Sequence, residues 1–312
     1  MPYANYCSPK MSCWLSAIHP LVLLILLSGV FQRPSTVGAQ VLPLPPRAPG
    51  APSGSAFGSS IATLPRAERE EQIVRQVLAG NVPDFLRVLV PVQMTGCVGG
   101  VQKTTTIHVT PDYIAIGSDS DYFLIPMSPL IAQRIADSTG CVLPTRTIVD
   151  AVYAAAPLKF SPKPIAPSAA MITVPVFLAH NDSVQQQRVP VLSQFPQGVL
   201  VGGTKKDVII SNRIYSSLKP TVPKPVVIYG WHQLSGVPIQ PVYNGHEETY
   251  ADYSHGIRLV QNALVVDGLP STVTATLADP QWCSLLSDEG VIALARYSYV
   301  LPTDVEEGVD GG

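Results

Sequence analysis

Apolar and polar positions follow a helical period in the first half of the folded sequence. Residues 67–79 place their aliphatic side chains on one helical face, and Gly80 ends the pattern. Ser128 and Pro129 supply an N-cap and a first helical residue for a second helix. Residues 145–156 show the same apolar spacing. The sequence therefore predicts three helices before its main β region.

Strand-like runs interrupt these helices and then dominate the second half. Residues 104–110 and 113–117 flank Pro111-Asp112 and predict a hairpin, with a further strand at 122–127. A last helix is predicted from Asp279-Pro280. Six later runs predict strands, at 172–179, 199–201, 207–211, 226–229, 255–260 and 271–277. This order predicts an α+β fold in which N-terminal helices precede a mostly antiparallel sheet.

Four segments divide the chain. Residues 1–39 have the basic start, short apolar core and small-residue cleavage site of a signal peptide, and the apolar core is too short to span a bilayer. Residues 40–60, rich in Pro, Gly and Ser, predict a disordered tether. Residues 61–304 predict a single α+β domain, and 305–312 an acidic flexible tail. We therefore expect a secreted, periplasmic or cell-envelope protein with no integral membrane span in the mature chain.

Composition narrows the function classes. The net charge is −2, and only 13% of residues are charged, with no basic patch. The leader contributes Lys10 and Arg33 but no acidic residue, so the mature chain is more acidic still. Because nucleic-acid binding needs a basic surface, the sequence argues against a nucleic-acid partner.

The segment 229–260 contains the most concentrated candidate chemistry. It gathers three of the six histidines, several aromatic rings and acidic residues into an otherwise charge-poor sequence. Such a mixture indicates a polar site. The candidate substrate-binding residues in it are Trp231, His232, His246, Tyr253 and Arg258.

Strand geometry suggests roles for some of these side chains. Alternate residues share a face, so Tyr253 and His255 are expected to point together toward a cleft. Arg258 is expected on the far side, paired with Asp252 or Glu248. Trp231 and His232 belong to an aromatic group that predicts either core packing or a platform for a sugar ring.

Cys141 is the candidate nucleophile. It precedes the helix predicted at 145–156, and a thiol close to a helix N-terminus gains thiolate character from the helix dipole. Asp207 then opens an apolar strand in LVGGTKKDVIIS, and His255 begins another in YADYSHGIRLV. In this order of elements the chain resembles the NlpC-like, papain-fold cell-wall cysteine peptidases. The resemblance implies a papain-like arrangement, with Cys141 as nucleophile and His255 as base.

The leading hypothesis is therefore an exported thiol hydrolase that cleaves peptide or amide bonds, with cell-wall material as its substrate and no cofactor or metal. One alternative is a non-catalytic envelope protein that binds glycan or a protein partner through segment 229–260. Another is a zinc-dependent hydrolase, since His232, His246 and His255 are suitable ligand types. Their spacing gives no pair of imidazoles on one helical face, so the leading hypothesis includes no metal.

Overall fold

The computed structural model describes residues 40–216 and 223–299, so the predicted signal peptide and acidic tail lie outside the described residues. The described chain has the α+β fold that the sequence predicts. No helix in these two ranges is long and apolar enough to cross a membrane. The helices are α1 (Gly54–Ser60), α2 (Arg66–Leu78), α3 (Pro129–Ser138), α4 (Arg146–Ala155), α5 (Val174–Arg188) and α6 (Val273–Ala278).

Two four-stranded sheets carry most of the β structure, in the orders β1-β2-β12-β5 and β10-β9-β8-β11. Within the second sheet, β11 runs parallel to β8, whereas β8, β9 and β10 are antiparallel. The strands are β1 (Val90–Val98), β2 (Val101–Val109), β3 (Ala115–Gly117), β4 (Tyr122–Leu124), β5 (Cys141–Val142), β6 (Leu158–Lys159), β7 (Val201–Gly202), β8 (Lys206–Val208), β9 (Pro225–His232), β10 (Pro238–Glu247), β11 (His255–Gly256), β12 (Val260–Gln261), β13 (Ala263–Val266) and β14 (Leu269–Thr272).

Helix α4 shows why the predicted helices form where they do. The Thr145 hydroxyl accepts a hydrogen bond from the backbone N–H of Ile148, which caps the first turn. Its buried face contains Ile148, Val149, Val152 and Tyr153, at helical spacing. That face packs against β1 and β9, so the helix connects the two sheets through the core.

The segment predicted as a disordered tether is instead part of the fold, which corrects the expectation for residues 40–60. Val41 forms a β-bridge with Val88, and Leu42 is 2% exposed. The Arg87 side chain donates to the carbonyls of Leu44 and Pro45, at 3.3 and 3.0 Å. The prediction of disorder from composition was wrong because this segment does not fold alone. Apolar contacts and hydrogen-bond donors of the folded domain hold it in place.

Several predicted elements also change type or partner. Residues 172–179 were expected to form a strand, but they enter helix α5 at Val174. The expected hairpin around Pro111-Asp112 is absent, because β2 pairs with β1 and β3 pairs with β4. Residues 271–277 divide between β14 and helix α6.

Candidate functional site

Eight buried ionisable side chains gather around the start of β8. Each is at most 3% exposed: Asp112, His180, Arg188, Lys205, Asp207, Asp252, His255 and Arg258. Burying an ion costs several kcal/mol unless partners compensate it, and such clusters are concentrated at functional sites. The cluster therefore defines the candidate functional site, and it includes His255 and Arg258 from the sequence prediction.

Asp207 lies at the centre of this cluster. Its Oδ2 accepts a hydrogen bond of 2.8 Å from the Tyr113 hydroxyl, and its Oδ1 lies 3.9 Å from Arg258 Nε. That Oδ1 has no hydrogen-bond partner among the described residues. Burial raises the pKa of Asp207 to about 6, although Arg258 and the Tyr113 hydrogen bond oppose the shift. The carboxyl group therefore titrates in the range useful for acid–base chemistry.

Arg258 contradicts the prediction that it pairs with Asp252 or Glu248. Its guanidinium lies near Asp207 and donates to the carbonyls of Thr110 and Val201, at 2.7 and 2.8 Å. Asp252 instead accepts hydrogen bonds from the backbone and hydroxyl of Ser254. Arg258 thus connects the cluster to the ends of other strands, a relation that its strand position does not reveal.

Lys205 is the second unusual group. Its Nζ donates to the Tyr253 carbonyl at 2.7 Å and lies 3.4 Å from His180 Nδ1. Burial lowers the pKa of Lys205 to about 7, and the charges of Asp252 and Asp112 oppose that shift. The ammonium therefore loses its proton far more readily than an exposed lysine does.

A cavity of about 10 Å³, the size of one water molecule, lies between these groups and strand β9. Lys205, Asp207 and Arg258 line it together with Trp231 and His232. The Trp231 backbone has a φ of 53°, a conformation that non-glycine residues seldom adopt, and its indole N–H has no described hydrogen-bond partner. Strain of this kind often accompanies functional sites.

His232 links the cavity to the surface. Its Nε2 lies 3.0 Å from an Asp150 carboxylate oxygen, which also accepts a 2.8 Å hydrogen bond from the Tyr229 hydroxyl. The Tyr153 ring stacks on the imidazole with centroids 4.4 Å apart. Since the Asp150 side chain is 49% exposed, the His232–Asp150 pair runs from the cavity wall to solvent.

His255 lies deeper, and its ring contacts form a separate group. The imidazole is fully buried, and neither nitrogen has a described hydrogen-bond partner. Burial lowers the pKa of His255 to about 4, against the raising effect of Asp252. Tyr250 packs edge-on against His255 at 5.7 Å and stacks on His246 at 4.0 Å. Segment 229–260 thus brings His246 and His255 together through Tyr250.

Trp231 and Tyr253 meet in a different part of the site. Their ring centroids are 6.1 Å apart, and His180 lies 5.9 Å from Trp231 and 5.0 Å from Tyr253. His180, which the sequence did not single out, is fully buried on helix α5. The contact of His180 with this site can be predicted only once residues 174–188 are known to form a helix.

Cys141 is not brought together with His255. It lies on β5 in the first sheet, whereas His255 lies on β11 in the second, and the two side chains form no hydrogen bond. The thiol donates to the Thr139 carbonyl at 3.5 Å, and burial raises its pKa to about 11. Helix α4 begins after its cap at Thr145, so its free amides lie beyond Cys141. This environment favours the thiol over the thiolate.

The three histidines proposed as zinc ligands do not converge. His232 lies beside Asp150 and Tyr153, whereas His246 and His255 each pack against Tyr250. In residues 40–216 and 223–299, no three His, Cys, Asp or Glu side chains form a group that could hold a metal ion.

Comparison with known proteins yields no relative. No family model matches the chain, and neither a curated protein nor a solved structure matches it significantly. The papain-like arrangement therefore stays a prediction, and the function is argued from the site itself.

Proposed function

We propose that the protein is an exported hydrolase of peptide or amide bonds in which Asp207 activates a water molecule. The observation that carries this proposal is the water-sized cavity lined by Asp207, whose Oδ1 accepts no hydrogen bond from the described residues. A carboxylate with a pKa of about 6 accepts a proton from water more readily than an ordinary aspartate does.

The side chains that line the cavity suggest the steps of this reaction. The water oxygen attacks the substrate carbonyl carbon while Asp207 takes the water proton. Lys205, which lines the same cavity, would supply a cation for the developing oxyanion. The carbon–nitrogen bond then breaks, and the proton passes from Asp207 to the leaving nitrogen, with His232, which lines the same cavity, as a relay. Because the cavity holds only one water molecule, this reaction requires its wall on the half-exposed Asp150 side to open and admit the substrate carbonyl.

An assay of cell-wall peptide hydrolysis, in which the newly released amino groups are measured, tests the proposal. Asp207→Asn keeps the side-chain shape but removes the base, so we expect at least a hundredfold loss in kcat. Because the carboxylate is protonated below its pKa, kcat/KM of the natural protein should fall as the pH drops below about 6. An Asp207→Asn protein with unchanged kcat would refute this mechanism.

The thiol mechanism makes the opposite prediction for the same assay. A Cys141 nucleophile requires that Cys141→Ala abolish hydrolysis, and a His255 base requires the same of His255→Ala. We expect Cys141→Ala to keep most of its activity, because burial holds the thiol protonated. Loss of activity in Cys141→Ala alone, with Asp207→Asn active, would support the thiol route.

A second candidate function is binding of glycan or a protein partner, and one observation favours it. Tyr243, His246, Tyr250 and His255 form a continuous series of ring contacts, with centroids 5.5, 4.0 and 5.7 Å apart. Tyr243, at the outer end, is 42% exposed. Sedimentation with insoluble cell-wall material tests it: Tyr243→Ala should reduce the bound fraction severalfold, and unchanged binding would exclude this surface.

A further inference from the structure

A second cleft lies apart from the water-sized cavity. It has a volume of about 280 Å³ and is bounded by helix α2, the start of helix α5 and the loop at 249–251. Arg66 and Arg69 line one side, and Leu64, Ile172 and Val174 give it apolar walls. The size suits one small group, such as a single amino-acid residue or sugar unit.

Arg69 is the unusual group in this cleft. It is 9% exposed, and its Nε has no hydrogen-bond partner among the described residues. One terminal nitrogen makes a long contact of 3.4 Å with the Ile172 carbonyl, and the guanidinium lies over the Phe177 ring at 5.3 Å. A buried guanidinium with so few acceptors is costly unless an anion completes it.

Glu70, the acidic side chain whose charge acts on Arg69, is already paired with other groups. One carboxylate oxygen lies 2.9 Å from Arg66, and the other accepts a 2.8 Å hydrogen bond from the Ser128 backbone. Burial lowers the pKa of Arg69, and the charge of Glu70 opposes this shift without cancelling it. Two arginines and one glutamate leave the cleft with an excess of positive charge.

We infer that this cleft binds a carboxylate group, with the Arg69 guanidinium as its principal partner and the apolar walls covering the attached carbon atoms. A guanidinium pairs with a carboxylate through two parallel hydrogen bonds, which a neutral amide cannot reproduce. A peptide C-terminus and an acidic sugar both present this chemistry. The inference does not depend on hydrolysis, so binding and catalysis succeed or fail separately.

Isothermal titration of the purified protein with two matched pairs of small molecules tests the inference. The first pair is N-acetyl-alanyl-alanine and its C-terminal amide, and the second is glucuronic acid and glucose. We expect an acid to bind at least ten times more tightly than its neutral partner, and the pair that shows the difference identifies the source of the carboxylate. Equal affinity within both pairs, or no binding, would overturn the inference.

Variants then assign the binding to this cleft. Arg69→Gln should weaken the acid at least tenfold, whereas Arg75→Gln, on the same helix with a 66% exposed side chain, should not change its affinity. Ile172→Trp fills the cleft from a 47% exposed position, so it should abolish binding even if Arg69→Gln does not fold. Full affinity in Ile172→Trp would show that the acid binds elsewhere.

Discussion

Replacing Lys205 with methionine removes a buried ammonium while keeping the length of the side chain. In the folded protein the pKa of Lys205 is about 7, compared with an ordinary value of 10.5. Between these two pH values the unfolded chain binds more protons than the folded chain, so the free energy of unfolding rises with pH. The buried Lys205 therefore lowers the free energy of unfolding by its full amount below pH 7, and this destabilisation disappears above about pH 10.5.

The size of the effect follows from the pKa difference. Each pKa unit corresponds to about 1.4 kcal/mol, so the whole penalty is about 5 kcal/mol. Between pH 7 and 9.5 the natural protein should gain about 3 kcal/mol of stability from Lys205 that Lys205→Met does not gain. The lost hydrogen bond to the Tyr253 carbonyl adds an offset that does not vary with pH.

Urea unfolding followed by tryptophan fluorescence at several pH values measures this difference. Lys163→Met is the control, because Lys163 is exposed and its removal should leave the pH dependence unchanged. If the stabilities of natural protein and Lys205→Met ran parallel from pH 7 to 9.5, the ammonium would have no buried, low-pKa environment, and Lys205 would not be the unusual group of this site.

Three further predictions concern the thiol, the cavity wall and the N-terminal segment. Cys141 should resist alkylation in the folded protein at pH 8, since it is 4% exposed with a pKa of about 11, and peptide mass mapping that shows rapid labelling would contradict its burial. Gly203→Ala should lower the unfolding free energy by roughly 2–3 kcal/mol, because φ is 89° and the new Cβ would lie 2.3 Å from the Phe160 carbonyl oxygen; an unchanged urea midpoint would refute this. Leu42→Ala should cost about 2–5 kcal/mol, whereas Val41→Ala, at a 52% exposed position, should cost less than about 0.5 kcal/mol; equal effects in urea unfolding would contradict the packing of this segment.

The local elements were the predictable part of the fold. Helices α2, α3 and α4 each combine an apolar face with residues that start or end a helix. Both signals lie within one short window of sequence. Helix α5 was missed because its buried face includes polar side chains. Phe177, His180, Val184 and Arg188 are all buried at helical spacing, but only two of them are apolar. A search for apolar periodicity alone therefore cannot find this helix.

The site was predictable only in outline. The sequence located segment 229–260, and the structure brings its residues to three neighbouring groups of rings and charges. No sequence pattern indicates that Asp207 contacts Tyr113 and Arg258, because these residues come from separate elements and pair only after folding. The one available signal was the charged run Lys205-Lys206-Asp207 directly before an apolar strand. Because charged residues are mostly exposed, this run alone does not reveal that the fold buries Lys205 and Asp207.

The position of β12 between β2 and β5 has a consequence for how the chain folds. Val260 pairs with both Val109 and Val142, and Gln261 donates to the Gln40 side chain across 221 residues of sequence. Contacts so distant along the chain give a high contact order, which slows folding because long loops must close before their contacts form. The first sheet cannot be completed until Val260 is available, so an emerging N-terminal half would expose unpaired strand edges of β2 and β5. Unpaired strand edges are prone to aggregation, so the chain is most exposed to it before almost all of the domain has been made.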